Sequence, residues 1–169
     1  MNQQRPRPFL NLLSSCVVAV LIGLCAWCAI ASPVLATDYN NAALIGEDFS
    51  NRDLTDSSFA HANLRGSDFS HSNLEAVSFF SSNLASANFE GANLRNATLG
   101  STRLTRANFT NAVLEGAFAM NAMFKGATID GADFTDVLMR QDEQEKLCQV
   151  ARGTNPTTGR ETRETLFCP

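Results

Sequence analysis

The chain has little of what enzymes use to build reactive sites. Of its 169 residues, two are histidine, one is tryptophan, one is tyrosine and five are cysteine. His61 and His71 stand ten positions apart. With no third histidine and no cysteine pair at ligand spacing, a zinc-type site is not expected. A Ser-His-Asp relay needs a histidine held between the nucleophile and a third group, and the abundant Ser and Asp have none so placed. No catalytic residue, cofactor or metal is therefore expected, and the chain reads as a non-enzyme. Uncharged apolar runs are missing after Ile30, and a bilayer span needs about 20 such residues.

The exception is the amino end. Arg5 and Arg7 precede a largely apolar run from Val17 to Ile30, and Val34-Leu35-Ala36 offers small residues for cleavage before Thr37. This is the pattern of a secretory signal peptide over 1–36, and an uncleaved membrane anchor is its rival. Cys16 and Cys25 lack the setting for lipidation, and Arg5-Pro6-Arg7 is not a twin-arginine pair. Removing 1–36 deletes two arginines and no acids, leaving 11 basic and 17 acidic residues and a formal charge of −6. That balance argues against nucleic acid as a partner, because phosphate binding relies on Lys and Arg.

What the chain does have is a period. From Leu44 to Phe134 a large apolar residue returns at every fifth position, with Ala119 as the one weak member. A small residue precedes most of these by two positions. Neither a helix, with 3.6 residues per turn, nor a strand, which alternates every 2, has this repeat, so the chain must turn within each unit and coil. Such units bury their apolar faces by stacking, as in a solenoid. Leu and Phe alternate from Leu44 to Leu94, which four sides would sort into separate columns and three would mix. The expectation is an all-β solenoid of about five coils, stacked at about 4.8 Å into a rod about 23 Å long.

The units Ala62-Asn63-Leu64-Arg65-Gly66, Ala87-Asn88-Phe89-Glu90-Gly91 and Ala92-Asn93-Leu94-Arg95-Asn96 resemble the pentapeptide-repeat family. That resemblance implies a right-handed quadrilateral β-helix over 37–136, with the central Leu or Phe and the small residue two before it inside. Glu47 and Arg52 depart from the pattern at normally small inward positions, and Phe118 and Met120 flank the weak centre at Ala119. Gly66, Gly91, Gly116, Gly126 and Gly131 close their units and read as corners rather than as a phosphate-binding loop. Asp48, Asp68, Asn88 and Asn108 form one outward ladder, and Asp53, Asn73 and Asn93 another. Calcium could bridge such oxygens, but turn hydrogen bonding and side-chain stacking is the simpler expectation.

In the tail, 137–169, the frame stops after Phe134 and a helix is expected from Asp142 to Arg152, with Asp142 as cap, Glu145 as its capping-box partner and Gly153 beyond the end. Cys148 and Cys168 are the pair that survives cleavage, and an even pair in an exported chain favours a disulfide. A free thiol pair and a redox-switching pair are the alternatives. The tail, with Gly153-Thr154-Asn155-Pro156 and Leu166-Phe167-Cys168-Pro169, is similar to that of cyanobacterial and chloroplast thylakoid-lumen pentapeptide-repeat proteins. This second resemblance implies an exported protein of the lumen or periplasm, with a short disulfide-linked helical tail capping the β-helix.

The functional expectation is a noncatalytic exported scaffold with an unknown protein partner. Its candidate surface is Phe80, Phe118 and Met120, which the tail or a local bulge would otherwise bury, together with the alternating column Glu75, Arg95 and Glu115. The alternatives are a module switched by reduction of Cys148–Cys168, and an acidic DNA mimic that inhibits topoisomerase, as some family members do. Export opposes the latter, as do Arg65, Arg95, Arg103 and Arg106, read as interrupting the acidic columns. A homodimer joined through the first coil is a further expectation.

Overall fold

The computed structural model describes residues 37–169, so the signal-peptide reading of 1–36 lies outside the described residues. Parallel bridges join residues twenty apart, from Asp38↔Ser58 to Phe118↔Leu138, without a break. Four columns of bridges define four sides, numbered here by their first core residue: side 1 at Leu44, side 2 at Phe49, side 3 at Leu54 and side 4 at Tyr39. The ladder passes Ala119 in register, its amide donating to the Leu138 carbonyl at 2.8 Å. The frame therefore extends to Tyr39 and Met139, two positions the sequence pattern left out, and the ladder runs to Leu138 rather than stopping after Phe134.

Each corner is made by backbone geometry. Every fifth residue from Asn41 to Asp136 has φ between +56° and +71°, glycine or not. Its amide reaches the next coil, as Gly66 does to Ala85 at 3.0 Å, and the following amide closes a turn, as Ser67 does to Leu64 at 3.1 Å. The residue after the core position has its amide taken by the Asn or Asp two before it: Asp68 Oδ1 accepts from Ser70 at 2.9 Å and Asn108 Oδ1 from Thr110 at 3.0 Å. These side chains also stack, Asn93 Nδ2 donating to Asn73 Oδ1 at 2.9 Å and Asn108 Nδ2 to Asn88 Oδ1 at 3.0 Å. The outward ladders are thus occupied with backbone and with each other.

The core follows the two sizes in the sequence. Phe49, Phe69, Phe89 and Phe109 stack with centroids 4.9, 5.2 and 5.0 Å apart. Across the axis Tyr39, Phe59 and Phe79 stack at 4.6 and 5.2 Å. The two stacks meet edge to face, as Phe59 and Phe69 do at 5.6 Å and 87°, the arrangement ring quadrupoles favour. Each fully buried Phe or Leu is worth about 1.5–3 kcal/mol of transfer free energy. Ala119 leaves the fourth column short, and the same coil compensates: Phe124 and Phe134 replace the leucines of their columns and stand 6.4 Å apart. At the other end Glu47 and Arg52 are exposed rather than inward, with the Arg52 guanidinium 5.4 Å from the Phe49 ring centroid. Burial without a partner would cost each charge far more than this exposure does.

The tail forms α1 (Gln141–Cys148) and a single turn, α2 (Thr162–Thr165), with an antiparallel bridge between Thr154 and Glu161. The expected Asp142–Arg152 helix is shorter, and Arg140 rather than Asp142 holds the cap position, with no side-chain cap. The ladder keeps the chain extended to Leu138, so Asp142 falls inside the first turn and ties Arg140 at 2.8 Å. The helix stops early because the chain turns to present the Arg152 carbonyl to the Gly131 amide at 2.8 Å. Cys148 and Cys168 are joined, their Cα atoms 5.5 Å apart. Among the described residues no helix is long and apolar enough to cross a membrane.

Candidate interaction surfaces

The predicted surface residues fall on two adjacent sides. Side 4 carries Phe80, Gly100 and Met120 in one outward column and Phe118 and Leu138 in the other. Apart from Asp38 at its start, this side lacks the Asn/Asp ladder: Ser58, Ser78, Thr98, Phe118 and Leu138 hold those positions. The Phe80 and Phe118 rings converge over Gly100, where an added Cβ would meet Phe118 Cε1 at 3.0 Å and Phe80 Cδ2 at 3.3 Å. His61 closes the other flank of Phe80, edge to face at 5.8 Å. The tail lies on the last coil and does not cover this patch: Phe80 is 42% exposed, Phe118 41% and Leu138 61%. Leu138 also belongs to this patch, although the five-residue pattern does not announce it, because Val137 stands where the small residue of its unit belongs.

Glu75, Arg95 and Glu115 lie on side 3 and are committed inside the chain. Arg95 Nε meets Glu115 Oε2 at 3.4 Å and Arg95 Nη1 donates to Asn93 Oδ1 at 3.1 Å. Glu75 accepts from Asn93 Nδ2 at 3.4 Å. Arg160, from the tail, continues the column by reaching Glu115 at 3.4 Å and the buried Asp133 at 3.1 Å. Burial opposes the Asp133 charge, but hydrogen bonds from Thr135 and Thr158, with the Arg160 guanidinium, hold its carboxyl below the usual carboxylate range. This column reads as a latch for the tail.

The reading of four arginines as interruptions of acidic columns needs correction. Only Arg95 lies between acids. Arg65 and Arg103 belong to side 1, where the columns of twenty place Arg65 between Ile45 and Ala85 and Arg103 between Asn83 and Met123, and Arg106 stands on the corner between sides 1 and 2. His61 and His71 occupy opposite corners. The His71 ring lies over Gly91, where a Cβ would meet Nδ1 at 2.6 Å. Among the described residues no group of three His, Cys, Asp or Glu is placed to hold a metal ion.

The tail supplies acceptors that a further coil would otherwise provide. Besides the Arg152 carbonyl, Glu143 Oε2 accepts from the Phe124 amide at 3.3 Å and Thr165 Oγ1 from the Phe134 amide at 3.1 Å. The fully buried Asn155 donates from Nδ2 to the carbonyls of Gly131 at 2.8 Å and Ala112 at 3.1 Å. Leu147, Ala151 and Leu166 close the apolar core beneath them.

A coil of four flat sides, twenty residues per turn, defines a class, and the sequence comparisons agree with it. The family described as "Pentapeptide repeat region" matches residues 36–109, and "Pentapeptide repeats (8 copies)" matches 102–141. The chain belongs to the pentapeptide-repeat family. A solved pentapeptide-repeat protein from the thylakoid lumen of Arabidopsis thaliana is 42% identical, with a TM-score of 0.55, over 79% of this chain and 86% of that one. A pentapeptide-repeat protein from Nostoc PCC 7120 is 26% identical, with a TM-score of 0.52, over 61% and 84%. The thylakoid lumenal 15 kDa protein 1 of Arabidopsis thaliana is 60% identical over 40 residues, 24% of this chain and 18% of that protein. Thylakoid lumenal protein TL20.3 is 48% identical over 40 residues, 24% and 14%. The chain thus spans less than a fifth of either of these two relatives.

Proposed function

We propose that the chain is a noncatalytic, lumenal interaction scaffold: a right-handed quadrilateral β-helix of about five coils, closed by a disulfide-linked helical cap, that binds a protein through side 4. The lumenal relatives support the compartment. The observation that carries the reading is the aromatic pair Phe80 and Phe118 over Gly100. It is exposed on a side where the polar ladder gives way to Ser, Thr, Phe and Leu. Exposed aromatic clusters on a rigid surface are the usual anchors of protein interfaces. Photocrosslinking probes at Ala60 and Thr98, beside the patch, should trap one specific protein adduct in intact cells. Phe80→Asp should abolish that adduct without changing the melting temperature. An unchanged adduct pattern in this variant would remove side 4 from consideration.

A second reading, a module switched by reduction, rests on the Cys148–Cys168 bridge, which ties the end of α1 to the segment bearing Leu166. Reduction should raise amide exchange at Phe134 and Leu147. Unchanged protection would leave the bridge purely structural. Self-association through the first coil accompanies the scaffold reading, and purely monomeric light scattering at high concentration would remove it. Topoisomerase inhibition by DNA mimicry gains no support, since one side of the rod is basic.

A further inference from the structure

Side 1 carries cations and no acid. Arg65, Arg103 and Lys125 stand in its outward columns and Arg106 on its corner with side 2, and no Asp or Glu occupies an outward ladder position or corner of this side. Side 2 is the reverse, with Asp48, Asp68, Glu90 and Asp130 in its outward columns. Arg95, Arg140, Lys146, Arg152 and Arg160 are all ion-paired. By contrast, Arg65, Arg103, Arg106 and Lys125 are exposed and have no ion-pair partner among the described residues. The Arg106 stem lies along Gly126, 3.4 Å from where a Cβ would stand.

The basic side runs into a cleft of about 540 Å³ between the last coil and α1, lined by Met123, Phe124, Leu147 and Val150. Met123 is 45% exposed and Val150 53%. At the far rim Lys146 is satisfied by Glu143 at 2.6 Å, which leaves Lys125 as the unpaired charge at the mouth.

We propose that side 1 is a docking surface for an acidic protein segment that carries an apolar side chain. The apolar group enters the cleft at Met123 and Val150, and carboxylates of the segment pair with Lys125, Arg103 and Arg106, with Arg65 further along. The proposal rests on the scaffold reading but uses a different side of the rod. Three of the four cations are arginine, whose planar fork suits carboxylates held in a fixed geometry. An anionic membrane fits less well. The apolar contact on offer is a cleft between the last coil and α1, which one side chain of a segment can enter and a layer of lipid headgroups cannot.

The test is fluorescence anisotropy of the purified protein with a labelled peptide of glutamates and two leucines. Its controls are the same peptide with glutamine for glutamate and vesicles containing phosphatidylglycerol. The acidic peptide should bind at low salt, weaken as salt rises, and exceed the glutamine peptide. R103E/R106E should weaken it by about tenfold or more, Met123→Ser should weaken it severalfold, and Phe80→Asp should leave it unchanged. If charge reversal lowers the melting temperature, Arg65→Gln with Arg103→Gln replaces it, with the same expectation. Absence of peptide binding, binding indifferent to these arginines, or binding to vesicles alone would overturn the proposal. Loss of the side 4 adduct reading would not, because the peptide assay does not use that side.

Discussion

The hydroxyl oxygen of Thr165 accepts the hydrogen bond of the Phe134 amide at 3.1 Å, although thirty-one positions separate the two residues. Inside the rod the equivalent amide, that of Leu94, is served by the Val113 carbonyl of the next coil at 2.7 Å. A side chain has replaced a strand. An exposed run of such amides would be an edge open to pairing with another chain.

Thr165→Val keeps the shape of this side chain and removes the acceptor, so it should strand a buried amide. Leaving such a donor unsatisfied costs about 1–3 kcal/mol, whereas Thr165→Ser should stay within about 0.5 kcal/mol of the native protein. Urea denaturation of the three proteins checks this. Equal stability of Thr165→Val and the native protein would mean that water serves Phe134.

The corners divide glycine from the rest. Ala76 has φ +59° with a Cβ that opposes that conformation. The left-handed region costs an L-residue about 1–2 kcal/mol, and the greater freedom of unfolded glycine returns about 0.5–1 kcal/mol of that. Ala76→Gly should therefore stabilise the rod slightly. Gly91→Ala should do the opposite, because it adds the same strain at φ +62° and drives a Cβ to 2.6 Å from His71 Nδ1. Thermal melting should rank Ala76→Gly, native, Gly91→Ala from highest to lowest.

How much of this was legible beforehand depended on whether a contact repeats. Leu64, Phe69 and Leu74 announce burial because each has counterparts twenty positions away, and the corners announce themselves through Gly66 and Gly91. Tyr39 and Met139 keep the same frame, yet Thr37 and Val137 stand where the small residue belongs and mask it. Ala119 looked like a defect because its compensation is spread over Phe124 and Phe134. The tail contacts of Thr165 and Asn155 repeat nowhere, so no period could reveal them. The basic side lay between these cases: Arg65 and Lys125 share a column three coils long that emerges once the chain is laid out in twenties.

Asn93 stands in the middle of the side 3 ladder. Its Nδ2 donates to Asn73 Oδ1 at 2.9 Å, and its Oδ1 accepts from the Arg95 amide at 3.3 Å and Nη1 at 3.1 Å. Each such bond is worth about 0.5–1.5 kcal/mol net, so losing the three in Asn93→Ala should cost about 1.5–4.5 kcal/mol. Arg95 would also lose its lateral support, and amide exchange should rise at Arg95 while Asn88, on the neighbouring ladder, keeps its protection.

Asp133 gives the latch a pH dependence. Its carboxyl is held below the usual value of 3.8 in the folded chain, since Thr135, Thr158 and Arg160 outweigh the effect of burial. A group whose folded pKa is depressed stabilises the fold fully above its unfolded pKa and loses that contribution as pH falls through the folded value. Native stability should therefore decline below about pH 3.8, with part of the decline belonging to this residue. Asp133→Asn keeps an acceptor for Thr135 but cannot titrate, so it should be less stable at pH 7 and show a shallower acid limb. Denaturant midpoints measured from pH 7 down to pH 2 test this. Parallel acid limbs would show that Asp133 does not hold the tail through its charge.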